Sequence, residues 1–264
     1  MRVALAFLRR DLLIWSSYRM AIVWQLVGIA VFVGLVSFLG TAVGDARGFF
    51  QGQPAGFVAF ILSGITFTDV LMQGIFAMPQ AIRDNQKDGT LEPMLLTPIS
   101  TMNLAISSAL FRLFIALGRM VIYLILGIAV IGLWRQANFL SLLVVLLSAM
   151  LGFLALGILS SAFVIFLKQG DPVLVAYGAL TALLGGVLFP VAALPAWIRP
   201  FADFVPLTYA LSGLRAALDG ARLTQVLGPT LVLCGLAAVL MPLGILAFNW
   251  AVNRAKKEGS LAQY

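Results

Sequence analysis

Long apolar runs constrain this chain more than any other feature of its sequence. A helix that crosses a bilayer needs about 20 mostly apolar residues, whereas spanning strands appear as short segments of alternating hydrophobicity. The runs here are long and do not alternate, so they predict helices. We therefore expect an all-α integral membrane protein in which residues 1–264 form a single transmembrane domain. The six predicted spans are Met20–Val43, Phe57–Pro79, Ala109–Leu133, Phe139–Leu167, Val173–Ala193 and Val226–Trp250.

The composition argues against several classes of function. Hydrophobic residues make up 62% of the chain and charged residues only 10%, whereas a soluble domain carries about 25% charged residues. Histidine is absent, which removes the usual general base and the usual zinc ligand, and we expect neither a catalytic residue nor a metal site. The basic residues behind the net charge of +7 are scattered, so we expect membrane lipid, and not nucleic acid, as a partner.

The distribution of lysine and arginine predicts the orientation of the spans. Six spans place both termini on one side of the membrane, and cytoplasmic connections carry an excess of these two residues. Ten lie on the side of the termini and five on the other, while Arg112 and Arg119 fall inside a predicted span. Both termini and the connection Asp84–Ser100 are therefore expected in the cytoplasm.

Residues 1–18 precede the first span and have a helical pattern of their own. Leu5, Leu8, Leu12 and Trp15 share one face at helical spacing, and charged residues lie elsewhere. This pattern is typical of an amphipathic helix that lies at the membrane surface.

The segment 194–222, before the last span, is predicted to be broken and partly re-entrant on the outer side. Its prolines prevent a regular helix, and such backbone survives at membrane depth only where protein or water satisfies it. After Pro206 a short amphipathic helix is expected, with one leucine face formed by Leu207, Leu211, Leu214 and Leu218. Four aromatic side chains of types that settle at the bilayer interface predict an outer gate. They are Trp197, Phe201, Phe204 and Tyr209.

The connection Asp84–Ser100 contains a short helical pattern between two breakers. Gly89 interrupts the preceding helix, Thr90 is an acceptable N-cap, and Pro98 ends the pattern. In between, Leu91, Met94 and Leu95 fall at positions i, i+3 and i+4 with Glu92 beside them, so two helical turns have one apolar face. Such a helix is unstable alone in water. The sequence pattern leaves two interpretations open, a clip that lies on the membrane and a helix that docks into a groove.

Two motifs of this chain resemble the permeases of type-2 ABC exporters, also called ABC-2 type transmembrane subunits. G-T-L-E-P-M-L-L-T-P (Gly89–Pro98) is similar to the coupling-helix signature that follows the second of six spans in that family. Leu188–Arg215 is similar to the family's outer loop, in which a proline-aromatic run leads through Pro-Leu-Thr-Tyr to a Leu-Arg pair. Val205 stands where many members have asparagine. The outer loop is closest to the drug- and antibiotic-export branch.

The resemblance implies a complex in which this chain couples to a separate ATPase. Two permeases, expected to be two copies of this chain, would work with two copies of a cytoplasmic ABC ATPase. A phosphate-binding loop requires a Gly-Lys pair, which is absent here, so ATP and Mg²⁺ are expected on the ATPase and no cofactor on this chain. The residues implied to couple to the ATPase are Gly89, Thr90, Leu91, Glu92, Met94, Leu95, Thr97 and Pro98.

Two charged residues are predicted to meet inside the membrane. Asp69 and Arg119 lie at nearly the same depth of two consecutive, antiparallel spans. Charges at membrane depth are costly unless they are paired. A structural ion pair, direct contact with a polar substrate group and a proton relay are three interpretations of this arrangement.

The expected function is export of a hydrophobic or amphipathic substrate across a bacterial or archaeal plasma membrane. A lipid-linked glycan or a lipid is the alternative substrate in the same family. A proton-coupled secondary transporter that uses Asp69 and Arg119 is a rival, but it predicts inverted repeats, and the sequence shows no such symmetry. An enzyme acting on lipid is disfavoured because histidine, metal-ligand clusters and a convincing pair of carboxylates are missing from the sequence.

Overall fold

The computed structural model describes residues 2–43, 54–87, 89, 100–131, 137–167 and 171–257. Over these residues the chain is almost wholly helical, without strands. A 3₁₀ turn covers Val191–Ala193. The α-helices are α1 (Arg2–Ser17), α2 (Arg19–Val43), α3 (Pro54–Lys87), α4 (Thr101–Ile131), α5 (Phe139–Leu167), α6 (Asp171–Leu184), α7 (Arg199–Ala202), α8 (Pro206–Leu218) and α9 (Leu223–Lys257).

Among the residues that the structure describes, five helices are long and apolar enough to cross a membrane, namely α2, α3, α4, α5 and α9. They confirm the predicted all-α membrane fold. Their ends extend past the apolar runs, because α3 continues beyond Pro79 to Lys87 and α4 already begins at Thr101. The 34 residues of α3 measure about 51 Å at 1.5 Å per residue, against about 30 Å for the hydrocarbon core. The assignment of residues 84–87 to a loop is therefore wrong, because these residues belong to helix α3.

The predicted fifth span, Val173–Ala193, is only partly helical. Helix α6 has 14 residues, or about 21 Å, and it ends where the Gly185 amide donates a hydrogen bond to the Thr181 carbonyl over 2.8 Å. Gly186 then adopts a φ of +76°, a left-handed conformation that glycine adopts readily. The irregular stretch was predicted to begin at Leu194. It begins about nine residues earlier, at Gly185.

The non-helical turn after α6 lies directly against α3. A Cβ atom at Gly64 would collide with the Val187 carbonyl oxygen, so the close approach of the two backbones depends on glycine at this position. Protein on one side of the turn is the condition under which irregular backbone is tolerated at membrane depth.

Helix α8 confirms the predicted short helix but changes its environment. Pro206 occupies the first turn, where its missing N–H costs little. Leu207, Leu211 and Leu214 are at most 1% exposed and belong to the main hydrophobic core. The leucine face therefore packs against α3, α5 and α9, and α8 is a core element more than a surface cover.

Helix α3 lies at the centre of the packing. It contacts α2, α4, α5, α6 and α8, while α5 and α9 share the largest interface. Two close approaches define the crossing of α3 and α5. The Ser160 hydroxyl donates to the Ile75 carbonyl over 2.5 Å, and a Cβ atom at Gly157 would collide with the Gly74 carbonyl oxygen.

The predicted surface helix is α1, which ends at Ser17 and is followed after Tyr18 by α2. The Ser16 and Ser17 hydroxyls both donate to the Leu13 carbonyl over 2.9 Å, so this one acceptor near the helix end receives two hydrogen bonds. Trp15 packs edge-on against Phe111 of α4, with the ring centroids 6.4 Å apart. This contact fixes α1 against α4.

Candidate functional site

The coupling residues predicted from the sequence lie almost entirely outside the described residues. Of the predicted set only Gly89 is described, with a φ of +65°, which suits a glycine that ends a helix in a left-handed conformation. Thr90, Leu91, Glu92, Met94, Leu95, Thr97 and Pro98 fall within residues 90–99, whose structure is not described. The structure does describe the two helices on either side of this segment, which end at Lys87 and begin at Thr101.

Asp69 of α3 and Arg119 of α4 form the ion pair expected from the sequence. Arg119 donates from Nε to Asp69 Oδ2 over 2.9 Å and from Nη2 to Oδ1 over 3.0 Å. Two parallel hydrogen bonds fix both the distance and the orientation of the two groups. The side chains of Asp69 and Arg119 are 31% and 22% exposed, so other protein groups cover most of the pair.

A second pair between the same helices was not predicted. Arg112 of α4 bonds the Asp84 carboxylate through Nη2 and donates from Nη1 to Gln80 Oε1 over 3.2 Å. Asp84 was expected in a loop outside the membrane, and a residue there is not matched by depth with an arginine inside a span. A helix continued past Pro79 places Asp84 on the same helix as Asp69, but the two aspartates are 15 residues apart and the two arginines only seven, so equal depth alone does not match Asp84 with Arg112.

Helices α1, α3 and α4 enclose an open groove of about 750 Å³, which we call the α1 groove. Its charged lining consists of Arg10 and Asp11 from α1, Asp84 from α3, and Arg112 and Arg119 from α4. The groove therefore runs from the end of α3 next to the undescribed segment to the intramembrane ion pair. It gives this pair a polar surrounding at a depth where an isolated charge would be costly.

On the other side of the molecule, Arg215 joins α8 to α3. Its guanidinium lies 3.5 Å from the centroid of the Phe60 ring, and it donates to Ser63 Oγ over 3.2 Å and to the Phe60 carbonyl over 3.1 Å. A planar cation over an aromatic face is a favourable contact. The sequence analysis counted Arg215 only as an outer-side charge, since nothing local indicates a partner 155 residues away.

Three aromatic residues of the predicted gate lie in the segment between α6 and α8, and the fourth, Tyr209, lies in the first turns of α8. Trp197, Phe201 and Phe204 are exposed by 74%, 60% and 79%. The Tyr209 hydroxyl donates to the Asp203 carbonyl over 2.9 Å. Burial, and then the Asp203 carboxylate, raise the pKa of Tyr209, so the phenol stays neutral at physiological pH and remains a donor.

This aromatic segment is held together by its own hydrogen bonds. Arg199 donates from Nη2 to the carbonyls of Ala192 and Leu194 over 2.7 and 3.2 Å, and the Thr208 hydroxyl donates to the Ala202 carbonyl over 2.9 Å. These bonds make the stretch a compact unit with its aromatic side chains pointing outward. In the part of the chain that the structure describes, no group of three or more His, Cys, Asp or Glu could hold a metal ion.

The sequence model of the ABC-2 type transporter family matches residues 1–218. The chain belongs to this family. The match includes the undescribed segment, both ion pairs and α8, and it ends just before α9. No curated protein matches the chain. As an ABC-2 family member, the chain is a multi-pass transmembrane component of an ABC transporter that works with an ABC ATPase subunit and is not itself that ATPase.

Proposed function

We propose that this chain is the permease of an ABC exporter that moves a hydrophobic or amphipathic substrate, such as a drug or antibiotic, out of the cell. The observation that carries the proposal is the ABC-2 family match over residues 1–218. In this proposal two copies of the chain face each other in a bacterial or archaeal plasma membrane with their termini in the cytoplasm. Two ATPase subunits bind on that side and hold the ATP and Mg²⁺.

The proposed coupling element is Gly89–Pro98, whose apolar face would dock in a cleft of the ATPase. The geometry of its flanking helices supports this role. Arg112–Asp84 and Arg119–Asp69 tie α3 to α4 at two levels, so a push on the connection between these helices would move them together. Rigid-body motion of packed elements is a common way to transmit such a change.

The coupling role is tested by the double substitution of Leu91 and Leu95 by Asp. It places two charges on the face that would be buried in the ATPase, and stimulation of ATP hydrolysis by the permease should fall to the basal rate of the ATPase. Asn103→Asp is the matched control, because Asn103 is exposed at the start of α4 and gains a charge outside the apolar face. Stimulation that persists in the Leu91 and Leu95 variant would favour the membrane-clip interpretation.

A further inference from the structure

Four of the five charged residues that line the α1 groove form two neighbouring opposite pairs, and the fifth, Arg119, is paired with Asp69. Arg10 Nε lies 2.7 Å from Asp11 Oδ1, and Arg112 bonds Asp84. All four side chains are partly open to the surroundings, with exposures between 15% and 48%. An anion that binds one of these arginines competes with the carboxylate that the arginine already contacts, and it leaves that carboxylate without a partner. A ligand that carries both signs satisfies the arginine and the carboxylate together.

The groove also has an apolar wall between these pairs and Arg119. It is formed by Ile14 and Trp15 of α1 and by Phe111 and Ile115 of α4. The volume of about 750 Å³ lies within the range of sites for small amphipathic molecules, about 300–1,000 Å³. A ligand that fits therefore combines a zwitterionic head with an apolar chain.

The position of α1 indicates where such a ligand comes from. Leu5 and Leu12 on this helix are 60% and 50% exposed, and an amphipathic helix with a free apolar face lies at the level where headgroups meet acyl chains. The groove beneath α1 therefore opens at the depth of phospholipid headgroups.

We propose that the α1 groove binds one zwitterionic phospholipid with a primary ammonium headgroup, such as phosphatidylethanolamine. The phosphate bonds Arg10 and Arg112, the ammonium bonds Asp11 and Asp84, and one acyl chain lies along Trp15. A primary ammonium offers three N–H donors to the two carboxylates, whereas a trimethylated head offers none. The bound lipid holds α1 against the ends of α3 and α4.

The inference rests on the proposed function only for the leaflet that supplies the lipid. If the termini are cytoplasmic, this is the inner leaflet. Lipid binding itself is measured on the full-length chain in detergent micelles without nucleotide or ATPase. A failure of the coupling experiment and a failure of lipid binding are therefore separate results.

Native mass spectrometry of the purified chain titrated with phosphatidylethanolamine tests the proposal. Ile14→Trp fills the groove from a position that is 53% exposed, and it should weaken the apparent Kd about tenfold, a free-energy change of about 1.4 kcal/mol. Leu13→Trp is the matched control, since Leu13 is 57% exposed on the same helix and does not line the groove. Its Kd should stay within about twofold of the wild type.

A second variant tests the headgroup contacts independently. Asp84→Asn combined with Arg112→Gln removes both charges of one pair, so no unpaired charge remains, and this variant should also bind about tenfold more weakly. Wild-type protein should prefer phosphatidylethanolamine to phosphatidylcholine and to phosphatidylglycerol. Equal binding of the three lipids, or unchanged binding by both the Ile14→Trp and the double variant, would overturn the proposal.

Discussion

At the residue scale, the two ion pairs between α3 and α4 illustrate what depth arithmetic can predict. Asp69 and Arg119 were matched from the sequence because consecutive spans are antiparallel and both residues lie well inside apolar runs. Asp84 and Arg112 escaped because the apolar run ends near Pro79 while the helix does not, and because Asp84 lies 15 residues from Asp69 whereas Arg112 lies only seven from Arg119. Arg215 over Phe60 escaped for another reason, because a contact between distant elements leaves no trace in local periodicity.

The Asp69–Arg119 pair predicts a non-additive response to substitution. Asp69→Asn or Arg119→Gln alone leaves one charge without its partner, a penalty of about 1–3 kcal/mol, and this should lower the folded yield about fivefold or more. The double variant removes both charges and should recover to within about twofold of the wild type. Folded yield is measured as the monodisperse fraction after extraction into mild detergent.

Two results of this double-mutant cycle have different meanings. Recovery in the double variant supports a structural ion pair. Losses that simply add would show that the two side chains act independently, which contradicts the bidentate geometry.

At the element scale, hydropathy predicted the spans well and their ends poorly. Helix boundaries were missed where a helix continues through polar turns, as at residues 80–87 of α3 and 101–108 of α4, because hydropathy reports the membrane and not the hydrogen bonds. The helical length of the predicted fifth span was overestimated because hydropathy does not distinguish Gly185 and Gly186 from the apolar residues around them. Gly186 has a left-handed backbone, which ends the helix. The leucine face of α8 was predicted correctly. Its burial in the protein core was not, because a helix at a membrane interface and a helix against a protein core have the same apolar face.

The crossing of α3 and α5 makes a prediction about glycine. Gly157→Ala would place a Cβ against the Gly74 carbonyl oxygen, so the helices must separate and lose the Ser160 hydrogen bond to Ile75. We expect a loss of about 1–3 kcal/mol of stability. The measurement is thermal unfolding in detergent.

Gly152→Ala serves as the matched control for Gly157→Ala. Gly152 is on the same helix, but a Cβ there would meet its nearest atom, a Leu233 methyl, at 3.9 Å. Because alanine also has the better helix propensity, this variant should be neutral or slightly stabilised. A similar loss in both variants would mean that the crossing is not held by close backbone contact.

At the scale of the whole molecule, α3 connects the elements that a transporter has to coordinate. One end leads into the proposed coupling segment, its middle crosses α5, and its other half carries the contacts with the turn after α6 and with Arg215 of α8. The α3–α8 contact through Arg215 links the aromatic segment between α6 and α8 to the helix that would respond to the ATPase. The described contacts therefore join α3 to α5, to the turn after α6 and to α8.

The final prediction concerns the exposed aromatic side chains between α6 and α8. If this segment is the outer gate, its exposure should change with the nucleotide state of an ATPase on the far side of the bilayer, about 40 Å away. A single cysteine at Trp197 or Phe204, in a Cys234→Ala background, reports that exposure through its labelling rate from outside. Trapping the ATPase with nucleotide should change this rate about fivefold, which corresponds to the lower end of typical coupling free energies, about 1 kcal/mol.

Thr224→Cys is the control because Thr224 is exposed at the start of α9, beyond the aromatic segment, and its rate should be unaffected. A rate at Trp197 and Phe204 that is equally indifferent to nucleotide would leave the segment as a static cap, held by the Arg199 hydrogen bonds to Ala192 and Leu194.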